Sequence, residues 1–256
     1  MALLGAALIT LWWNVPSDAR AELEDWHAHE HFPERLNIPG FRRASRWSGA
    51  DGAGGFFVMY ELEDYQVLSS PPYLERLNAP TPWSTKMMPH HHGMVRGQCR
   101  VLETCGGNVA AYVLTVRLSP APGRDAALRV ALASLVGSLA TRPGLIGAHL
   151  ARHERPPIAA TTEQKIRGGD READWVFVVS GYDAAALEVL VCAELGDVAL
   201  MDAGAVPGSE AGLYRLAYSA TPSDVAAPVH GRTTAYRSSP TAGHGERALP
   251  GPPDAD

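Results

Sequence analysis

Covalent bracing and soft-metal chemistry have little to work with in this chain. It has three cysteines, Cys99, Cys105 and Cys192, an odd number without ligand spacing. That argues against a disulfide framework and fits a reducing, cytoplasmic setting. Positive charge is scarce as well. Lysine and arginine total 22 against 28 acidic residues, a net charge of −6. No basic surface is therefore expected for nucleic acid or an anionic membrane. There is no apolar run long enough to span a bilayer. The N-terminal "MALLGAALITLWWNVP" lacks the basic start of a signal peptide and runs straight into Asn14 and Pro16, so it reads as a buried strand. G-x-G-x-x-G, a Walker loop, G-x-S-x-G and C-x-x-C are all missing, which removes support for nucleotide binding, serine hydrolysis and thioredoxin-type exchange.

What is present is an ordinary globular composition, 46% apolar and 20% charged, over 256 residues. That is enough for one large domain or two small ones. A repeat organises it. The Pro-Gly pairs at 39–40 and 143–144 lie 104 residues apart, and the same offset lays "ALITLWWNV" (7–15) on "AYVLTVRLS" (111–119). An offset of 119 lays "FFVMYELED" (56–64) on "WVFVVSGYD" (175–183) and Arg96 on Arg215. The additional residues of the second copy fall in "PPIAATTEQKIRGGDRE", a polar connection where insertions are tolerated.

Each copy reads strand, helix, strand, strand, helix, strand, the order of a ferredoxin-like split βαβ unit. In copy one, Pro16, Ser17 and Asp18 start a helix that runs to about Arg35, and Pro39-Gly40 stops it. The fold class expected is α+β, with two βαββαβ repeats packing their bare sheet faces together. The repeats would span 1–106 and 107–220, divided near Gly106–Gly107. The Pro/Gly/Ala/Ser-rich stretch 221–256 reads as a disordered tail.

The stretch "WHAHEHFPERLNIPGF" (26–41) resembles the signature of the dimeric α/β-barrel superfamily, in its EthD-like branch. The resemblance covers both copies, although only the first carries the motif. It implies an eight-strand barrel, usually built from two chains and here closed by one duplicated chain. It also implies that the active cleft lies between a unit's helices and its own sheet, and that the barrel interior is mostly packing. It does not fix the chemistry, because the superfamily hosts monooxygenases, isomerases, cyclases and haem enzymes.

On a regular helical wheel with Trp26 at the origin, Leu23 lies near about 60° and Glu30 near about 40°, inside the apolar stripe. His27 and His31 fall on one shoulder, near about 100° and 140°, and His29 on the other. A carboxylate in a core stripe is costly unless it is paired, protonated or in a cavity. The expectation is a pocket with Glu30 and His31 as an acid/base pair. At the 104 offset the second copy has Ala131, Ala133, Ser134 and Leu135 in place of His27, His29, Glu30 and His31, so the fold does not require the polar groups. Two other readings stay open. Glu30 and His31 can be a helix end whose acid pairs with Arg35. "HAHEH" also matches the inverted zincin pattern, with His27 and His31 as ligands.

Candidates for the substrate wall are Trp12 and Asn14 on one face of the first strand, Trp26, His27, Trp47, Tyr73, Trp83, Arg35, and His90, which shares a face with His92. "APTPWSTKMMPH" reads as a loop with Ser84 or Thr85 capping a short helix. The functional expectation is a cofactor-independent enzyme, with no metal, acting on a small, largely apolar, cyclic or aromatic metabolite in a lyase, isomerase, cyclase or hydrolytic reaction. Its rivals are a non-catalytic ligand-binding barrel and a haem- or metal-dependent oxidoreductase. The partner expected is a small-molecule substrate, with homodimerisation through outer surfaces also open.

Overall fold

The computed structural model describes residues 3–50 and 55–225. Strands β1 (Ala7–Asn14), β2 (Phe41–Gly49), β3 (Gly55–Leu62) and β4 (His92–Gly106) pair in the order β4-β1-β3-β2. Strands β5 (Tyr112–Leu118), β6 (Leu145–His153), β8 (Trp175–Gly181) and β9 (Glu210–Ala220) pair in the equivalent order β9-β5-β8-β6. Antiparallel ladders β2–β9 and β4–β6 join the two sets. Eight strands thus close into one barrel within a single chain, with no sheet edge left open around the ring. A two-residue strand, β7 (Arg171–Glu172), runs parallel beside β4.

Helices cover the outside. The first helical stretch comprises α1 (Arg20–Trp26), a π-helical turn (His27–His31) and α2 (Phe32–Leu36). It starts later than the sequence suggests: residues 16–19 form a turn, and no side chain caps α1. Then follow a 3-10 turn (Tyr65–Ser69), α3 (Pro71–Asn78), α4 (Pro82–Met87) and another 3-10 turn (Met88–His90). Thr81, rather than Ser84 or Thr85, caps α4 by accepting from the Ser84 N–H. The second half carries α5 (Asp125–Leu139), α6 (Thr162–Arg167), α7 (Ala184–Cys192) and α8 (Asp197–Ala203). None of the described helices is long and apolar enough to cross a membrane.

Strand alternation divides the core into three parts. Ile9, Trp13, Phe56, Val58, Tyr60 and Leu62 face the first-half helices. Leu114, Val116, Leu118, Trp175, Phe177 and Val179 face α5 and α7. Inside the barrel, Trp12 and Trp47 stack on Phe57 at 5.1 and 5.3 Å, and Trp12 Nε1 donates to Thr115 Oγ1 at 3.0 Å. Trp12 and Trp47 are therefore packing residues of the barrel interior, not cleft residues. The opposite face of β1 lines the cleft, through Trp13, one residue on. Asn14 is exposed at the end of the strand.

Pairing register also gives a different spacing between equivalent strand positions of the two halves from the 104 expected. Ile9 lies opposite Tyr60 and Leu114 opposite Val179. Tyr60 and Val179 keep the 119 spacing and both face helices, so Ile9 corresponds to Leu114, a spacing of 105. Gly40 and Gly144, with φ +92° and +86°, keep the spacing of 104. The first half therefore holds one more residue between its first strand and this glycine. The surplus lies at the π turn. Leu23, His27, His31 and Arg35 are buried at intervals of four, whereas Leu128, Leu132, Val136 and Leu139 of α5 are buried at intervals of four, four and three.

The expected boundary at 221 is too early. Residues Pro222–Val225 form α9, and Val225 packs on the first-half core. The rest of the expected tail, 226–256, lies outside the described residues.

Pro33 gives the π turn a physical cause. It has no N–H, and in an uninterrupted α-helix its ring would press on the carbonyl of His29. A wide turn just before it relieves that clash. Deleting the exposed His29 should restore a regular helix and reintroduce the clash, lowering stability by about 3 kcal/mol. Pro33→Ala in that deletion background should recover most of the loss, yet do little in the intact chain. Urea unfolding of the four proteins checks this, and equal effects of Pro33→Ala in both backgrounds would refute it.

Candidate functional site

The helix-facing surface of the first-half sheet encloses a cavity of about 50 Å³. Its floor is Ile9, Leu11 and Trp13 of β1 with Val58 and Tyr60 of β3. Trp26, His27, His31 and Arg35 of the first helical stretch form one wall, and Tyr73 and Leu77 of α3 another. Met88, His91, Met94 and Arg96 lead from the second 3-10 turn into β4. Glu163 and Arg167 of α6 close it from the other half of the chain.

The π turn sets which side chains reach this space. The Phe32 N–H bonds to the carbonyl of His27, five residues back. In a regular α-helix, positions four apart drift by about 40° at each step, so Leu23, His27, His31 and Arg35 would spiral off the sheet. The wide turn absorbs the drift and brings all four inward. It turns Glu30 the other way. Glu30 is only half-buried and does not line the cavity; its Oε1 accepts from Trp26 Nε1 (3.2 Å), Ser84 Oγ (3.4 Å) and the Thr81 hydroxyl. The expected position of Glu30 in the apolar stripe came from assuming about 100° per residue throughout.

Of the remaining expected wall residues, Trp26, His27, His31, Arg35 and Tyr73 meet at the cavity. Trp83 packs at the margin, where its Nε1 donates to Glu22 at 3.2 Å. His90 is half-buried outside the cavity and His92 is exposed. The inward histidine of that run is His91, because Met88–His90 forms a 3-10 turn rather than an extended segment.

Trp26 stacks on the imidazoles of His27 (4.9 Å) and His31 (4.3 Å), and those two rings stack on each other at 5.6 Å and 19°. Near-parallel rings do not aim their lone pairs at a common ion, which weighs against the zincin pairing. Among the described residues no group of three His, Cys, Asp or Glu is placed to hold a metal.

Burial is the main reason these imidazoles resist protonation. It pulls His27 well below the ordinary histidine value, with Arg46 and His91 adding to the effect. His31 is likewise pulled well down, by burial first and then by Arg35, His27, His91 and Arg167. His91 is lowered to about 3, chiefly by burial and then by Arg167, against the pull of its carbonyl hydrogen bonds. All three are neutral at pH 7. His91 Nδ1 contacts the carbonyls of Met87 and Met88 at 3.2 and 3.0 Å, so Nδ1 donates and Nε2 keeps the lone pair. His31 Nδ1 stands 4.0 Å from Glu34 Oε2, too far for a hydrogen bond, and being uncharged it forms no ion pair there.

Arg35 is 3% exposed and donates through Nη2 to Glu163 Oε1, 128 positions away in sequence. Burial alone would lower its pKa, but Glu163, Tyr73 and Tyr60 outweigh that and raise it. Glu163 stands 3.8 Å from Arg167, which makes two hydrogen bonds to Asp170, and Arg96 lies 3.8 Å from Asp170 and donates to the Tyr73 hydroxyl at 3.2 Å. Several buried nitrogens are left over. Trp13 Nε1, Arg35 Nη1, Arg96 Nε, His27 Nδ1 and His31 Nδ1 have no hydrogen-bond partner among the described residues. Unpaired buried donors are costly, and at one cavity they mark where a ligand's acceptors are expected.

Sequence reasoning missed Glu163, Arg167 and Asp170. They lie in the connection read as a cheap insertion, which folds as α6 under a Thr161–Gln164 capping box and ends at Gly168 with φ +82°. The capping pattern T-x-x-Q was the signal available.

No family model and no curated protein matches the chain. Solved structures do. An anthrone oxidase-like protein superposes with a TM-score of 0.61 at 14% identity, covering 87% of this chain and 96% of its own. A candidate monooxygenase from Fusobacterium nucleatum gives 0.58 at 7%, covering 86% and 96%. Another from Lactobacillus acidophilus gives 0.55 at 9%, covering 85% and 97%. At such identities the likeness establishes the fold, a dimeric α/β barrel, and not the reaction.

The three histidines of the cavity, together with buried His149 of β6, whose pKa burial lowers to about 4, make stability pH-dependent. Each has a folded pKa below its unfolded value, so between the two the unfolded chain binds the extra proton and acid favours unfolding. Stability should be flat above about pH 7. Below about 6.5 it should fall by about 1.4 kcal/mol per pH unit for each histidine. His91→Gln should make the slope shallower. Denaturant midpoints from pH 8 to 5 test this, and a flat profile would contradict the burial of neutral imidazoles.

Proposed function

We propose that the chain is a small-molecule enzyme working without a cofactor, with its site in the first-half cavity. The substrate is small, largely apolar, and cyclic or aromatic. His31, uncharged and therefore able to accept, takes a proton from a carbon next to a carbonyl. The electron pair left behind moves onto the carbonyl oxygen, beside the guanidinium of Arg35. The developing oxyanion offsets the cost of a buried imidazolium, and His31 returns the proton at another atom in a lyase- or isomerase-type reaction. The observation that carries this reading is the unpartnered Nη1 of a buried arginine at the same cavity as three neutral imidazoles.

Glu30 is a positioning residue in this scheme. It holds the Trp26 indole, which stacks on both His27 and His31. The anthrone oxidase-like and monooxygenase-type neighbours support a small-molecule role on this scaffold. The same reading takes the chain as EthD-like and tandemly duplicated, with 1–106 bearing the site and 107–220 its structural counterpart. Leu132, Val136 and Leu139 stand where the first half has His27, His31 and Arg35.

Solvent deuterium exchange into cyclopentanone, a small enolisable cyclic ketone, tests the proton transfer. Exchange should be accelerated by the intact protein, and His31→Ala should slow it by about 10²–10⁴-fold while still giving a cooperative melt. Glu30→Gln should lower the rate about tenfold through the loosened indole, and the exposed His29→Ala should have no effect. Full exchange by His31→Ala would show that the base is assigned wrongly. Tight binding of the ketone with no exchange by any form would favour a non-catalytic carrier.

A further inference from the structure

The cavity carries more positive than negative charge. Arg35, Arg96 and Arg167 face Glu163 and Asp170, and the nearby imidazoles are uncharged. Two of the three guanidinium groups keep an unpartnered N–H, Nη1 of Arg35 and Nε of Arg96. The floor between them is aliphatic and aromatic. At about 50 Å³ the cavity is tight for a substituted aromatic ring as it stands. Directly outside lies an open groove of about 430 Å³ that shares His91, Met94 and Arg167 with it. Between the two stand the side chains that line both, His91, Met94 and Arg167, the last residue of α6. Gly168 and Gly169, at φ +82° and +93° with no atom near their Cβ positions, follow its last turn, and Pro156 and Pro157 precede it.

We propose that this site takes a small apolar carboxylate, and that Glu163 occupies the place of the ligand's carboxylate on Arg35 until the ligand displaces it. The inference rests on the cavity being the functional site and adds the charge of what it binds. A carboxylate accepts two N–H bonds from one guanidinium face, which is what Arg35 offers once Glu163 leaves. Displacement frees α6 to swing on its glycine end, joining groove and cavity into a space large enough for a ring. Glu163 then finds Arg167, already 3.8 Å away on the same helix, so neither released charge is stranded. The second half of the chain thereby gates a site built by the first.

The test uses benzoate and its neutral isostere benzamide on the full chain, read by calorimetry and by the fluorescence of Trp13 and Trp26. Benzoate should bind at least tenfold more tightly than benzamide. Glu163→Gln should tighten benzoate a further tenfold or more, because a competing charge is gone, and leave benzamide nearly unchanged. The double variant Arg35→Met/Glu163→Gln, which removes both members of the buried pair, should retain a cooperative melt and lose the preference for benzoate. Equal binding of the two probes, or weaker benzoate binding by Glu163→Gln, overturns the carboxylate assignment and leaves the cavity as a site for neutral ligands. Binding of neither probe overturns both this inference and the functional reading beneath it.

Discussion

A guanidinium buried away from water must find a carboxylate, and most of this site follows from how Arg35 does so. Its partner, Glu163, comes from the connection between β6 and β8, in the other half of the chain. An uncompensated buried charge costs about 3–5 kcal/mol, enough to decide whether a small domain folds. The pair therefore fixes α6 over the first-half sheet. With α6 in place, Arg167 and Asp170 follow, and Arg96 and Tyr73 connect to them. The cavity is what remains between this polar cover and an apolar floor.

The two halves of the barrel show what the first has given up for this arrangement. Strand order and the left-handed glycine after the first helix are common to both. In the second half a regular helix lays leucine and valine on its sheet, the cheapest solution for an amphipathic helix. In the first half, an added residue and a proline widen one turn, and imidazole and guanidinium groups take the apolar positions. Such groups resist protonation or demand partners. Conflicts between local rules and global fold of this kind concentrate at functional sites.

Much of the architecture was legible in one dimension. Alternating apolar residues mark the strands, Pro39-Gly40 and Pro143-Gly144 mark the helix ends, and the order of elements leads to a split βαβ unit in each half. Closure within one chain follows, since two such sheets each leave a face that must be covered. The site was less legible. His31, His27, Trp26, Arg35 and Tyr73 could be nominated from the motif. Glu30 was placed wrongly because a wheel of constant pitch cannot represent a π turn, and Trp12 was preferred to Trp13 because alternation says that two faces exist but not which one meets a helix. His91 was passed over for its neighbours because a 3-10 turn was read as extended chain.

Residue pattern alone thus determined the main strands, the principal helices and the fold class, since burial of apolar area with a period of two or 3.6 is a local property of the chain. Tertiary structure alone decided the chemistry of the cavity. Glu163, Arg167 and Asp170 sit more than 120 positions from Arg35 in an unremarkable polar stretch, and nothing near them in sequence shows which cation they serve. Their role depends on a charge pair that forms only when the barrel closes and brings α6 against the first sheet. Electrostatic pairing acts between atoms a few ångströms apart in space and is indifferent to separation along the chain.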